Sequence, residues 1–402
     1  MKKFLLSLPA IVTAFIAAPA QDLETSTVAS QPEIKKEEPK FKVVPSGRVL
    51  VDGALYASPE KQLFKDGLAI PEARLGAKMS YGNWSSWIDV GFAYGKIGLR
   101  NMWIQYNFND NNAIRFGNFI QPFGLQSTTS LSLKCTYEQP LASALYTPGI
   151  QLGAMYTHYN PSFYGAAAFH VESSALTNVM NYPQFNQQGY SLLTRLVWRE
   201  KSSGINGKPV IQAGISGGFS TPQRTLEGDK DVHNGFAISG NYPTKVTTLE
   251  AIGVNIGNAR NMFKLSPELL LSYGKLALEG QYFYQRINRW KGYRAFTSQG
   301  GYVTLRGMLI GGKYTYDSAN GQVVAPNKNS LECVLNYNYA TLSDSKAKIY
   351  GGRANSFNAT LNYYINPYIT ARLNYTYTHT WNREGFDPTT LNGFQARLMV
   401  LF

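Results

Sequence analysis

Two cysteines in 402 residues, Cys135 and Cys333, are too few for a disulfide framework. Cys333 stands between Leu331 and Leu335 at strand spacing and reads as a small apolar residue, with a Cys135–Cys333 bridge as the lesser alternative. Histidine is also scarce. His158, His170, His233 and His379 are scattered without ligand spacing, so neither a metal site nor another cofactor is expected. They also form no Ser–His or Asp–His pairing, although His170 and His379 would be the rim candidates of a barrel enzyme. Beyond the first residues the chain has no uninterrupted apolar run of the ~20 residues that a membrane helix requires. Charge is sparse, at 16% Asp, Glu, Lys and Arg. A soluble domain shows more charge than this on its surface.

What is abundant is Tyr (27), Phe (21) and Gly (37), in a chain that is slightly hydrophilic overall. An apolar exterior, a polar lumen and aromatic girdles would use such a composition. The start of the chain gives an address. Lys2 and Lys3 precede a short apolar core from Phe4 to Ala18, and Ala18-Pro19-Ala20 forms an A-x-A site, so residues 1–20 read as a secretory signal peptide cleaved after Ala20. Residues 21–46 are charged and proline-bounded and read as a disordered periplasmic tail.

From Gly47 the chain becomes a series of strand-length segments. Candidates are 47–57, 68–81, 84–94, 97–110, 113–121, 149–158, 162–172, 189–201, 209–220, 245–256, 262–274, 275–287, 301–316, 328–341, 351–365, 367–381 and 390–402. These are seventeen, and single-chain bacterial barrels favour even numbers. Segment 245–256 is the weakest and is assigned to a loop. The expected fold is an all-β, transmembrane antiparallel barrel of sixteen strands over 47–402, wide enough for an aqueous channel. In 367–381, Ile369, Ala371, Leu373, Tyr375 and Tyr377 oppose Thr370, Arg372, Asn374, Thr376 and Thr378, one face suiting lipid and the other water. The final strand alternates in the same way and ends on Phe402, which a closed barrel can use because its last strand pairs with its first. Phe402 is thus the expected C-terminal signal for barrel-assembly machinery.

Connections alternate in length. Asn109 to Asn112, Asn160-Pro161 and Asn366-Pro367 read as tight periplasmic turns. Residues 119–148, 173–188, 221–261 and 288–300 read as long outward loops. Loop 119–148, which opens with Gln121-Pro122-Phe123-Gly124, is expected to fold inward and narrow the pore.

The net charge is +13. Loss of residues 1–20 removes two lysines, and residues 21–47 hold four lysines against five acids, so the segment from Arg48 onward carries about +12. Outside the cytoplasm this excess does not imply nucleic acid. It fits a pore for anions, or basic loops meeting anionic lipid. Candidate pore-lining cations are Arg48, Arg74, Lys78, Arg115, Lys134, Arg195, Arg199, Lys264 and Arg397, opposed by Asp52, Glu72, Asp89, Glu138 and Glu279. Arg306 lies on an ambiguous strand and is left unplaced.

Several local motifs occur in a common order. They are Ala73-Arg74-Leu75-Gly76 with Trp84, Gly117-Asn118-Phe119 with Pro122-Phe123-Gly124-Leu125, Gly301-Tyr302-Val303 running to Leu309-Ile310-Gly311-Gly312, Leu361 to Asn366 with Leu373-Asn374-Tyr375, and Arg397-Leu398 with Phe402. In these the chain resembles the phosphate-selective porin O and P family. The resemblance implies a sixteen-stranded, trimeric diffusion channel with a constriction loop. It also implies basic residues that this chain lacks. Pro71-Glu72, Ile120, Gln139 and Asn336 stand where the family tends to have basic side chains. Phosphate selection needs several converging guanidinium or ammonium groups. A porin passing small hydrophilic solutes with an anion preference is therefore the first expectation. A phosphate- or polyphosphate-selective channel is the alternative, and an adhesin or a barrel subunit of a larger assembly is a third class.

Overall fold

The computed structural model describes residues 39–402, apart from 61, 94, 95, 130, 148, 172–188, 228, 229, 234, 319 and 327. The proposed leader and most of the proposed tail, 1–38, lie outside the described residues, as does the whole of the long connection expected over 173–188.

Sixteen antiparallel strands close into one barrel. Its first nine are β1 (Lys42–Tyr56), β2 (Gly67–Tyr81), β3 (Trp84–Ala93), β4 (Lys96–Asn109), β5 (Asn112–Ile120), β6 (Ile150–Asn160), β7 (Phe163–Val171), β8 (Tyr190–Arg199) and β9 (Val210–Ser220). Two hairpins stand apart next, β10 (Arg224–Glu227) with β11 (Lys230–His233) and β12 (Phe236–Asn241) with β13 (Glu250–Ile256). The wall resumes with β14 (Ala259–Tyr273), β15 (Leu276–Arg289) and β16 (Phe296–Ile310). A third separate hairpin follows, β17 (Thr315–Asp317) with β18 (Gln322–Val324). The wall ends with β19 (Ser330–Asp344), β20 (Ile349–Asn366), β21 (Ile369–Arg383) and β22 (Thr389–Leu401). The loop after β5 carries two short helices, α1 (Leu125–Thr128) and α2 (Leu141–Tyr146).

The wall alternates because successive strand side chains point to opposite faces. On β21, Leu373 is exposed while Arg372, Asn374, Thr376 and Thr378 are buried toward the interior. Closure is completed by β22 pairing with β1, Arg48 opposite Leu401 and Asp52 opposite Arg397. Gly47 exchanges backbone hydrogen bonds with Phe402, donating at 2.7 Å and accepting at 3.1 Å. A side chain at 47 would have its Cβ 2.3 Å from the Phe402 ring. Strand β1 begins at Lys42, ahead of the expected 47.

Two sequence expectations are corrected. Segment 245–256 does lie outside the wall, but its second half is strand β13, paired with β12 inside a long connection. Segment 301–316 is displaced, since the wall strand runs Phe296–Ile310 and 315–317 belongs to the hairpin β17–β18. The reason is that the inner face of β16 is partly apolar. Phe296 and Tyr302 point inward and are buried, so the contrast between polar and apolar faces fades there.

Connections on the side of the chain termini are short except for 200–209 and 311–329. The opposite, loop end carries the segments between β1 and β2, β5 and β6, β9 and β14, and the remaining alternate pairs. Three segments fold into the barrel. Loop 121–149 and the hairpin β12–β13 enter from the loop end, and the hairpin β17–β18 enters from the terminal end. Side chains of β14–β16, β19 and β20 meet the first two in one apolar cluster that includes Leu141, Leu145, Tyr146, Ile238, Ile252, Ile256, Phe283 and Phe296. Gly352 has φ +104°, and a Cβ there would lie 2.6 Å from Ile252, so only glycine lets the hairpin approach this closely. A second cluster joins Leu125 of the loop to Val323, Tyr314 and Tyr316 of the terminal-end hairpin, over Leu270 and Ala277. Inserts from the two ends thus touch inside the barrel.

Candidate functional site: the pore and its constriction loop

One inner row of wall residues holds the loop. Glu332, Asn362, Arg372, Arg397 and Asp52 are successive cross-strand neighbours on β19, β20, β21, β22 and β1. Four consecutive loop carbonyls lie on this row. Arg372 donates to the Lys134 carbonyl at 2.6 Å and to that of Thr136 at 2.9 Å. Asn362 donates to the Cys135 carbonyl at 2.7 Å. Arg397 donates to the Tyr137 carbonyl at 2.6 Å. Arg397 also grips both oxygens of Asp52 at 2.7 Å and pairs with Glu138. Burial would raise the Glu138 carboxyl, but the Arg397 and Lys245 charges outweigh it and hold it below the usual carboxylate range.

The sequence-predicted cations separate into two groups. Four are tied into packing. Arg195 makes a bidentate pair with Glu268, at 2.5 and 3.1 Å, and donates to the Thr128 hydroxyl. Arg199 spends its donors on the carbonyls of Asn160, Pro161 and Ser318 and on the Tyr316 hydroxyl, strapping the terminal-end hairpin across β6–β9. Lys264 caps the last helical turn of α2 through the Tyr146 carbonyl at 3.1 Å. Arg397 holds the loop rather than facing free water. The other five line the side formed by β1–β6. Arg48 and Arg74 flank Glu72, and Arg74 reaches Asp89 at 3.4 Å. Lys78 sits 5.0 Å over the Trp87 ring, and Arg115 sits 4.0 Å over Trp103. Lys134 donates to the Gln139 side chain at 2.9 Å.

The acids are equally placed. Asp52 and Glu138 serve Arg397, Glu72 and Asp89 serve the arginines of β1 and β2, and Glu279 takes a hydrogen bond from Gln126 of the loop.

Sequence reasoning missed Arg372, Arg306, Glu332 and Glu268. Parity puts all four on the inner face. What the sequence hides is the insert that covers them. Glu332 accepts from Arg306 at 2.8 Å, Tyr314 and Tyr364 at 2.7 Å, and Asn362 at 2.9 Å, in a fully buried network.

A chamber of about 400 Å³ opens between the loop and the turn after β12. Its cations are Lys134, Lys245 and Arg372, and its acids are Glu72 and Glu138. Lys134 and Arg372 carry no ion pair among the described residues. Burial pulls the Lys134 amine down to about 8 against the opposing pull of Glu138.

The family model of phosphate-selective porin O and P matches residues 52–402. The chain belongs to that family. No curated protein matches it in sequence. Among solved structures, outer-membrane expressed OmpT of Vibrio cholerae is 12% identical with a TM-score of 0.56, covering 90% of this chain and 98% of that one. The anion-selective porin from Comamonas acidovorans is 12% identical with a TM-score of 0.54, covering 90% and 100%. OprB of Pseudomonas putida is 10% identical with a TM-score of 0.53, covering 90% and 94%. At such identities the likeness is one of fold. This member of the porin O and P family is an outer-membrane porin.

Proposed function

We propose that this porin lets small hydrophilic solutes diffuse across the outer membrane with a preference for anions. The observation that carries the reading is the pair Lys134 and Arg372, two cations that face one chamber and have no carboxylate partner among the described residues. Arg48, Arg74, Lys78 and Arg115 extend the positive field along β1–β5, and such a field raises the local concentration of anions. Loop 121–149 sets the narrowest section because its backbone is fastened across the wall row at four carbonyls. Reversal potentials in planar bilayers under a KCl gradient test the reading, and a channel that passes potassium better than chloride refutes it.

A phosphate-selective channel is the second reading, favoured by the family. Of the positions where family members tend to be basic, Gln139 binds Lys134 and Asn336 binds Thr304. Neither brings charge to the pore. Block of chloride current by inorganic phosphate separates the two readings.

The same proposal includes a leader cleaved after Ala20, a periplasmic position for the tail of residues 21–46 and for the terminal end, delivery by barrel-assembly machinery and assembly as a homotrimer. N-terminal sequencing of the mature protein tests the first. Mass measurement of the detergent-extracted porin tests the last.

A further inference from the structure

Water-filled lumens are polar by default, yet both halves of this barrel carry inward aromatic residues. In the half formed by β14–β16, packing accounts for them, since Phe283, Phe296 and Tyr302 lie beneath Tyr146 and the hairpin β12–β13. Around β4–β7 it does so only in part: Arg115 lies over Trp103, Arg195 stands 5.8 Å from the Tyr164 ring and Arg199 4.9 Å from the Tyr159 ring, whose hydroxyl meets Ser318. Trp103 and Tyr164 are only half-buried, against a floor of Phe119, Met155, Ala166 and Ala168. Tyr159 and Tyr164 face a chamber of about 370 Å³ at the terminal end, which lies within the ~300–1,000 Å³ of small-molecule sites. Ala113, Ala166 and Ala168 keep this stretch of wall recessed. The Tyr164 hydroxyl has no hydrogen-bond partner among the described residues.

Opposite the tyrosines stand Gln105, Asn107, Thr157 and Asn320, neutral groups that both donate and accept. The cation here, Arg115, lies flat on Trp103 and gives Nε and Nη2 to the Gln105 side-chain oxygen at 2.9 and 2.7 Å. Among the described residues it is the one cation in the chamber lining, since Arg195 and Arg199, which stand at the tyrosine rings, are tied to Glu268 and to backbone carbonyls. Gln105 gives one N–H to Asn107 and Asn107 gives one to the Asn83 carbonyl, so each amide keeps a second N–H that a hydrocarbon would leave unpaired. A zwitterion's ammonium group would find one carboxylate in the lining, Asp110, which stands exposed to water on the turn. One class fits both surfaces, a solute with C–H faces for the tyrosines and many hydroxyls for the amides.

We propose that the terminal-end chamber is a binding subsite for a neutral polyhydroxylated solute of mono- or disaccharide size. The proposal rests on the channel reading but not on its charge preference. Glucose and maltose added to the intact porin in planar bilayers reduce the current in a saturable manner. Tyr164→Ala raises the half-blocking concentration about tenfold, the equivalent of ~1.4 kcal/mol, and leaves the reversal potential unchanged. Asn107→Ala does the same to a smaller degree and carries the test if the tyrosine variant fails to insert. Lys134→Met shows the opposite pattern, a shifted reversal potential with sugar block intact. The subsite is refuted if neither sugar reduces the current, if block is undiminished in the chamber variants, or if glycine blocks and sugars do not. A cation-selective wild type would sink the anion reading alone and leave the sugar titration readable.

Discussion

Strands β14–β16, β19 and β20 and strands β2–β6 follow the same alternation, yet their inner faces meet different things. The first set meets protein. The loop helices, the hairpin β12–β13 and the hairpin β17–β18 cover it, and its inward Phe283, Phe296 and Leu270 are as dry as a soluble core. The second set meets space, with Arg115, amides and Tyr159 lining the terminal-end chamber and Glu72 reaching the other. A sixteen-stranded ring is wide enough that filling one side still leaves a path along the other. Charge sorts with this division. The cations of the filled side are consumed in buried bidentate or backbone contacts, whereas on the open side Arg48 and Arg74 share Glu72 and Lys78 and Arg115 lie over tryptophan rings.

The contrast can be broken in graded steps. Removing the hairpin, residues 236–256, should raise single-channel conductance several-fold, because it fills the lumen from the loop end over the inner faces of β16, β19 and β20. Unchanged conductance would mean that the current never passes its side. Arg306→Ala strands the buried Glu332 and should cost ~3–5 kcal/mol, read as a lower unfolding temperature in detergent. Lys78→Ala, on the open side, loses only its contact over Trp87, ~0.5–1 kcal/mol. Equal losses would erase the distinction between the halves.

Acidity gives a third test. The Lys134 amine sits near 8 in the folded porin, below its ordinary 10.5. Anion preference should therefore hold below pH 8 and weaken as pH rises through it, and Lys134→Met should flatten that profile of reversal potential against pH. The folded state binds fewer protons than the unfolded state between these two values, so this group makes stability rise with pH across that window. The smallest effect concerns Cys135. Burial pushes its thiol up to about 12, so maleimide should label it slowly in the folded porin, and rapid labelling would show the loop undocked.

Sixteen wall strands were legible in the sequence because lipid and water enforce a period of two. Legibility failed where the inner face stopped meeting water. Phe296 and Tyr302 look lipid-facing by composition, and the expected strand slid along the chain until 315–317 was included. Arg372 was readable as inward but not as the holder of the Lys134 and Thr136 carbonyls, because that role depends on a loop more than two hundred residues away in sequence. Lys78 and Arg115 were the reverse case. Their faces were correct on parity alone, and their neighbours Trp87 and Trp103 lie on the adjacent strands β3 and β4, within reach of simple register arguments.

Arg397 joins three parts of the chain at one guanidinium, β22 that carries it, Asp52 of β1 and the loop at Tyr137 and Glu138. Its contacts span 345 residues to Asp52 and 259 to Glu138. In kinetic terms the loop cannot finish docking until the two ends of the chain have met, so ring closure and pore narrowing form a single late event of high contact order. A partly zipped barrel would be wide at its waist, and the narrow pore would mark a chain that had finished folding.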